Sequence, residues 1–213
     1  MNPFPIILSS PSGGGKTTIA RELLRRRSDL GYSVSCTTRS PRPGEEHGRD
    51  YYFMTRAEFL EERENDAFAE SAQVHGNLYG TLRREVERVL RSGRHVVMDI
   101  DVQGARQFTR AFPQSVLVFV LPPSAEVLLE RLRKRKTESP AELVSRLQSA
   151  LQELQAIDGY EYVIVNDDLE RAVQSASSII DAEVTKRERL RGLRHSVAEL
   201  IEKLEKEIEN HTP

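Results

Sequence analysis

The stretch FPIILSSPSGGGKTT, Phe4 to Thr18, decides the fold. An apolar run ends at a glycine loop, and an amphipathic segment starts at Lys16. Gly13, Gly14 and Gly15 let the backbone approach a ligand with no Cβ in the way. Backbone N–H groups pointing into such a loop, with a helix N-terminus behind them, cradle phosphate. Lys16 is placed to reach terminal phosphates, and Thr17 offers a hydroxyl for Mg²⁺. The general pattern G-x-x-x-x-G-K-[ST] has glycine where this chain has Ser10. That position lies where the strand leaves the sheet, so a small residue is expected to suffice. The competing reading is a ligand-free strand-to-helix turn, in which three glycines cost conformational entropy with no gain.

Outward from the loop, Phe4 to Leu8 reads as a buried strand. Lys16 to Arg27 reads as a helix with Ile19, Ala20, Leu23 and Leu24 on its apolar face, ended by Gly31. HVVMDID, His95 to Asp101, is an apolar strand ending in two carboxylates. VQGARQFTRAF follows as a helix, and SVLVFVL, Ser115 to Leu121, as a central strand stopped by Pro122 and Pro123. Ser124 is the expected N-cap of the next helix. The polar break KTESP separates it from a second helix through Leu154, and EYVIVND, Glu161 to Asp167, is the last strand. Strands alternating with helices make an α/β chain with a parallel sheet covered on both faces. The block Tyr32 to Thr81 departs from this rhythm. Its proline-punctuated turn, tyrosine-bearing strands and short helix near Thr55 to Glu64 read as an inserted lobe.

The 213 residues suit one such domain. A net charge of -2 argues against a global basic field for nucleic acid. One cysteine, Cys36, excludes an intramolecular disulfide and points to a reducing, cytoplasmic setting. No histidine spacing suggests zinc, no basic segment precedes the first apolar run as in a secretory leader, and no apolar stretch approaches membrane-spanning length.

Three further patterns carry chemistry. Asp99 and Asp101 are expected on opposite faces of a strand end, one toward the phosphate loop and a Mg²⁺ shell, the other toward a second ligand; capping of the next helix by Asp101 competes with that. Arg39 and Arg42, in a proline-fixed turn, can converge on one phosphate, with Tyr51 as a further donor; a solvated charged turn is the competing reading. Glu70 is either an exposed glutamate on an edge strand or a half-buried acceptor for an amidine-like edge, which guanine presents and adenine does not. Thr81 is expected to donate to a base oxygen.

PSGGGKTT, SVSCTTRSPRPGEEHGRDYYF, FAESAQVHGNLYGT, DIDVQGA and VIVNDDLE stand in an order and spacing that resembles the guanylate kinase family, over about residues 4–180. The resemblance implies a P-loop nucleoside monophosphate kinase fold. It also implies ATP-dependent, Mg²⁺-assisted phosphorylation of GMP and dGMP. By that resemblance Ser10, Pro11, Ser12, Gly13, Gly14, Gly15, Lys16, Thr17, Thr18, Arg131 and Arg135 bind ATP, and Thr17 and Asp99 hold the metal. Ser35, Arg39, Arg42, Tyr51, Glu70, Tyr79, Thr81 and Asp101 form the GMP site. The first two arginines and both tyrosines hold its phosphate; Glu70, Thr81 and Asp101 address the base. Lys16, Arg39, Arg42, Arg135 and Arg146 are the catalytic set, and Asn166 and Asp167 fall near the adenine side.

The resemblance divides the single domain into a core (about 1–33, 82–128 and 155–184), a GMP lobe (34–81), a lid (129–154) and a C-terminal helix (185–211). The lid pattern is usually R-G-T-E, whereas this chain has Arg135-Lys136-Thr137-Glu138. In the tail, Leu190, Leu193, Val197, Leu200 and Leu204 form a narrow seam. Packing on its own domain and homo-oligomer formation are both open readings of it. Two rivals to the kinase of GMP are a related kinase of a phosphorylated sugar and a non-catalytic protein-binding module of the same fold. The first would not need Glu70 and Thr81, and the second does not need Lys16.

Overall fold

The computed structural model describes residues 2–74, 76–133, 140–190 and 192–211. The chain runs β1 (Pro5–Ser9), α1 (Lys16–Arg26), β2 (Leu30–Tyr32), β3 (Cys36–Thr37), β4 (Tyr52–Phe53), α2 (Arg56–Glu64), β5 (Phe68–Val74), β6 (Asn77–Leu82), α3 (Arg83–Arg91) and β7 (His95–Asp99). It continues through α4 (Val102–Ala111), β8 (Val116–Leu121), α5 (Ala125–Arg133), α6 (Pro140–Leu154), β9 (Tyr162–Val165), α7 (Leu169–Val184) and α8 (Leu193–His211).

β2, β7, β1, β8 and β9 lie in that order in one sheet, and every pair is parallel. The strand at its centre is β1, and β8, expected to be a central strand, lies inside the sheet between β1 and β9. All five residues of β1 are buried, as a strand covered on both faces must be. The chain leaves β1 toward one side of the sheet, returns through β7, and crosses to the other side with β8. The carboxyl ends of β1, β7, β8 and β9 therefore share an edge at a reversal of strand order, where ligands of open α/β sheets bind.

Gly31 does not end the first helix. α1 stops at Arg26, and Arg27 is extended, its guanidinium held by Asp29 and by Ser177. Gly31 sits inside β2, where a Cβ would meet a Val89 methyl at 2.4 Å. It is there for close packing of α3.

β4, β3, β6 and β5 form a second sheet. Its core is Cys36, Phe59, Phe68, Leu78 and Leu82, with the Phe59 and Phe68 rings stacked at 4.3 Å. Burial pushes the Cys36 thiol up to about 12. Thr55 caps α2 in a reciprocal capping box with Glu58. β5 is an edge strand, and α4 lies against it: Ser71 N donates to Gln107 Oε1 at 3.0 Å, so the edge is partly satisfied by a side chain.

Residues 3–177 form one compact unit. The second unit comprises residues 1–2 and 178–213. Within the second, Asn2 N donates to Arg189 O, and the buried Glu183 carboxylate pairs with Lys186 and Arg189. No residue of α8 is buried; Val197, Leu200, Ile201, Leu204 and Ile208 are all exposed. Among the described residues, no helix is long and apolar enough to cross a membrane.

Candidate active site

The phosphate loop fills the gap between β1 and α1. Gly13 and Gly15 have φ of 86° and 96°, a region strained for any L side chain. Gly14 is required for another reason: a Cβ there would lie 2.6 Å from Ser10 Cβ. Ser10 is buried beneath it, and its hydroxyl donates to Pro11 O at 3.0 Å. Gly14 N closes the turn on the same carbonyl at 2.8 Å.

The loop is also held from outside. Asn166 Nδ2 donates to Gly14 O at 2.8 Å. Arg131 Nη1 reaches the carbonyls of Gly13 and Gly14 at 3.5 and 3.4 Å, and its Nη2 donates to Asn166 O at 3.3 Å. A trans peptide sets its C=O and N–H in opposite directions. With Gly14 O turned out to Asn166, the Gly15 N–H turns into the loop. α1 begins at once with Lys16 and has no acidic residue in its first turn, so its N-terminal field is not offset by a local carboxylate. Thr18 is exposed on that same turn, its amide donating to Gly15 O.

Thr17 Oγ1 donates to Asp99 Oδ2, which closes a short bridge between α1 and the end of β7. A hydroxyl beside a carboxylate, with room for water, suits Mg²⁺, which takes few protein oxygens. The expectation that Asp99 and Asp101 occupy opposite faces of one strand needs correction. Residues two apart on a strand share a face. Their side chains diverge because β7 stops at Asp99 and Asp101 leaves the strand as N-cap of α4, accepting from Gly104 N at 2.7 Å.

In the second sheet Glu70 is buried, 9% exposed, although its strand is an edge. Thr81, opposite it on β6, donates its hydroxyl to Glu70 Oε1 at 2.6 Å. Glu70 thereby orients the Thr81 hydroxyl on the side expected to face a base. Burial pushes the Glu70 carboxyl up to about 7; the Thr81 hydroxyl pulls it back and the nearby Asp101 carboxylate raises it. Gly104 permits this approach, since a Cβ there would come within 3.2 Å of Glu70 Oε2. Ser35 Oγ lies 3.5 Å from Thr81 Oγ1, which sets a second hydroxyl of the expected GMP site beside the pair.

Arg39, Arg42, Tyr51 and Ser35 line one cavity of about 520 Å³ together with Thr17 and Asp99. The phosphate loop's helix and the arginine turn thus face each other across one space. Glu45 gathers the two arginines: its Oε1 takes Arg39 Nη2 at 2.9 Å and its Oε2 takes the Arg42 amide at 2.8 Å. Those contacts hold the Glu45 carboxyl below the usual range. Arg39 also lies 5.6 Å from the Tyr51 ring centroid, and Tyr51 meets Tyr79 edge-on at 6.2 Å. Glu70, Thr81, Tyr79 and Asp101 do not line that cavity. They connect to it through Ser35 and Tyr51. A cavity of about 580 Å³ elsewhere in the second sheet's surroundings, bounded by Glu58, Glu61, Glu62 and Glu85, holds none of the predicted residues.

Arg146, on α6, donates to Ser12 Oγ at 3.3 Å and to Leu132 O at 3.2 Å. Arg135 and Lys136 lie outside the described residues. Asn166 reaches the loop rather than standing alone at the strand end, while exposed Asp167 pairs with Arg171. Sequence reasoning missed Glu45, Glu153 and the loop-holding role of Asn166. The last was within reach, because a polar residue directly after a parallel strand beside β1's neighbour must emerge at the loop's edge. Glu153 has no local signal in its helix.

A family model described as guanylate kinase matches residues 2–183. The guanylate kinase of Thermotoga maritima is 47% identical over 180 residues, covering 84% of this chain and 87% of that one. That of Carboxydothermus hydrogenoformans is 45% identical over 185 residues, 87% and 91% of the two chains. The crystal structure of guanylate kinase from Anaplasma phagocytophilum superposes with a TM-score of 0.73 at 38% identity, covering 91% of this chain and 92% of that chain. The architecture is that of a P-loop nucleoside monophosphate kinase, and the chain belongs to the guanylate kinase family.

Proposed function

We propose that the protein transfers the γ-phosphoryl group of ATP to GMP or dGMP, giving ADP and the nucleoside diphosphate. The observation that carries this is the pairing of a complete phosphate loop with a buried, hydroxyl-bonded Glu70 near a cleft lined by Arg39 and Arg42. Phosphoryl transfer needs positioning and charge stabilisation more than covalent chemistry from the protein. Lys16 and the inward loop amides hold the β- and γ-phosphates, with Ser10, Pro11, Ser12, Gly13, Gly14, Gly15, Thr17 and Thr18 forming the wall. The Arg39 guanidinium exchanges Glu45 for the GMP phosphate, Arg42 joins it there, and together they present that phosphate as nucleophile, with Tyr51 and Tyr79 beside it. Glu70 accepts from the guanine N1–H and amine with Asp101 beside it, and Ser35 and Thr81 supply the hydroxyls on the base side, Thr81 also orienting Glu70. Thr17 and Asp99 are the residues that would hold Mg²⁺, which when bound would neutralise phosphate charge. Arg131 and Arg146 support the ATP side, and Arg135 is the remaining arginine of the catalytic set.

A guanine-reading carboxylate leaves adenine's acceptor facing an acceptor, which costs roughly four to five orders of magnitude in selectivity. A phosphosugar kinase would have no use for it, and a protein-binding module would have no use for Lys16. A reducing, cytoplasmic setting rests on the single cysteine, and self-association of the chain on the exposed stripe of α8.

The test is ADP release from ATP with GMP, dGMP, AMP or ribose 5-phosphate, with and without Mg²⁺. Turnover is expected with the guanine nucleotides and Mg²⁺ alone; faster turnover of ribose 5-phosphate overturns the proposal. Lys16→Met is expected to lower kcat by roughly a thousandfold, as for loss of a transition-state cation, while calorimetry still finds GMP binding.

A further inference from the structure

We propose that Glu153 is a positioning residue of the phosphate loop, fixing the Pro11–Ser12 peptide and tying the loop's shape to helix α6. The inference rests on the loop being the ATP site. Ser12 N donates to Glu153 Oε2 at 2.9 Å, across 141 residues of sequence. Because the peptide is trans and planar, an amide turned outward to Glu153 turns the Pro11 carbonyl the other way. That carbonyl is the acceptor of both Gly14 N and Ser10 Oγ, the two bonds that close the turn.

Asn166 does the complementary thing one step on, drawing the Gly14 carbonyl outward. An external acceptor on one peptide and an external donor on another together set which loop amides face inward. Arg146, seven residues before Glu153 on α6, holds the Ser12 hydroxyl. A seven-residue step returns to the same helix face. Ser12 is thus gripped at its amide and its hydroxyl by one face of one helix, and movement of α6 is transmitted to the loop. Burial raises the Glu153 carboxyl above the usual range, while the Ser12 amide and the nearby Lys16 charge pull it back. A counter-ion to Lys16 would need the negative charge, whereas holding the amide needs only an acceptor in reach. Those two roles are separable.

Steady-state kinetics of Glu153→Ala, Glu153→Gln and Glu153→Asp separate them. Glu153→Ala is expected to raise the KM for ATP about tenfold or more, the cost of leaving the Ser12 amide without its acceptor, with KM for GMP within about twofold. Glu153→Gln keeps the acceptor and is expected to recover most of that loss. Glu153→Asp keeps the charge but is one methylene short, and is expected to resemble Glu153→Ala; it decides the matter if Glu153→Ala does not fold. Wild-type ATP KM in Glu153→Ala or Glu153→Asp overturns the proposal, as does a Glu153→Gln no better than Glu153→Asp, or a parallel rise in GMP KM. The wild type is assayed alongside. If it fails to phosphorylate GMP, the parent reading has failed; if it is active and the variants are indifferent, only this inference has.

Discussion

Glu70 shows what a recognition residue costs its own fold. Its folded carboxyl titrates at about 7 against an ordinary 4.5, raised by burial. Between those values the unfolded chain has released its proton and the folded chain retains it, so stability falls as pH rises through that window. Below it both states are protonated and nothing is lost. Glu70→Gln is therefore expected to stabilise the ligand-free protein by about 1–3 kcal/mol at pH near 8, with no gain near pH 4, by urea unfolding. A gain of equal size at both pH values would show that burial of the charge is not its source. The same titration acts on catalysis with the opposite sign. The guanine edge needs an ionised acceptor, so kcat/KM for GMP should rise with pH up to about 7 and then level. Residue identity was legible here and environment was not. Phe68 and Tyr79 hinted at burial, but only the register of β5 on β6 and the missing side chain of Gly104 create it.

At the scale of elements, the loop between β1 and α1 was readable because its demands are local. Positive φ calls for Gly13 and Gly15, and a buried strand before an amphipathic helix supplies the context. The departure at Ser10 reads differently once Gly14 is seen over it. Ser10 is the floor that forbids a side chain at 14. Gly14→Ala is expected to weaken ATP binding strongly, and Ser10→Gly alone to leave it near wild type. Together they should recover part of the loss, with a coupling of about 1–2 kcal/mol by calorimetry. Recovery stays partial because Pro11 O would still lie 3.0 Å from the new methyl. Strict additivity would mean that the two positions do not touch in solution. Helix ends were less legible. Gly31 looked like a stop, yet α1 is ended by the pull of Asp29 and Ser177 on Arg27, the second of them 150 residues away. The pair Asp99 and Asp101 misled for a related reason: where a strand ends depends on its neighbours, and β7 runs out of partners at Asp99.

For the whole molecule, net charge and local charge have opposite signs. The chain carries -2 overall. The shared cavity is lined by four arginines, Arg21, Arg39, Arg42 and Arg49, and three carboxylates, Glu45, Asp50 and Asp99, which leaves it at +1. An anionic nucleotide responds to the field where it enters. The association rate of GMP, by stopped flow, is expected to fall several-fold between about 20 and 200 mM salt as screening shortens. Steering by the molecule's total charge would make it rise instead. This balance could not be read along the chain, because the arginines of α1 and of the turn meet only after folding.

The sealed thiol of the second sheet has a practical consequence. Cys36 is the chain's single cysteine, wholly buried and reluctant to ionise. Thiol reagents attack the thiolate, so the natural protein is close to inert toward maleimides. A cysteine introduced on the exposed side of α6 and another on α2 would accept a fluorophore pair with no native residue removed first. The distance between those helices could then be followed as nucleotides arrive.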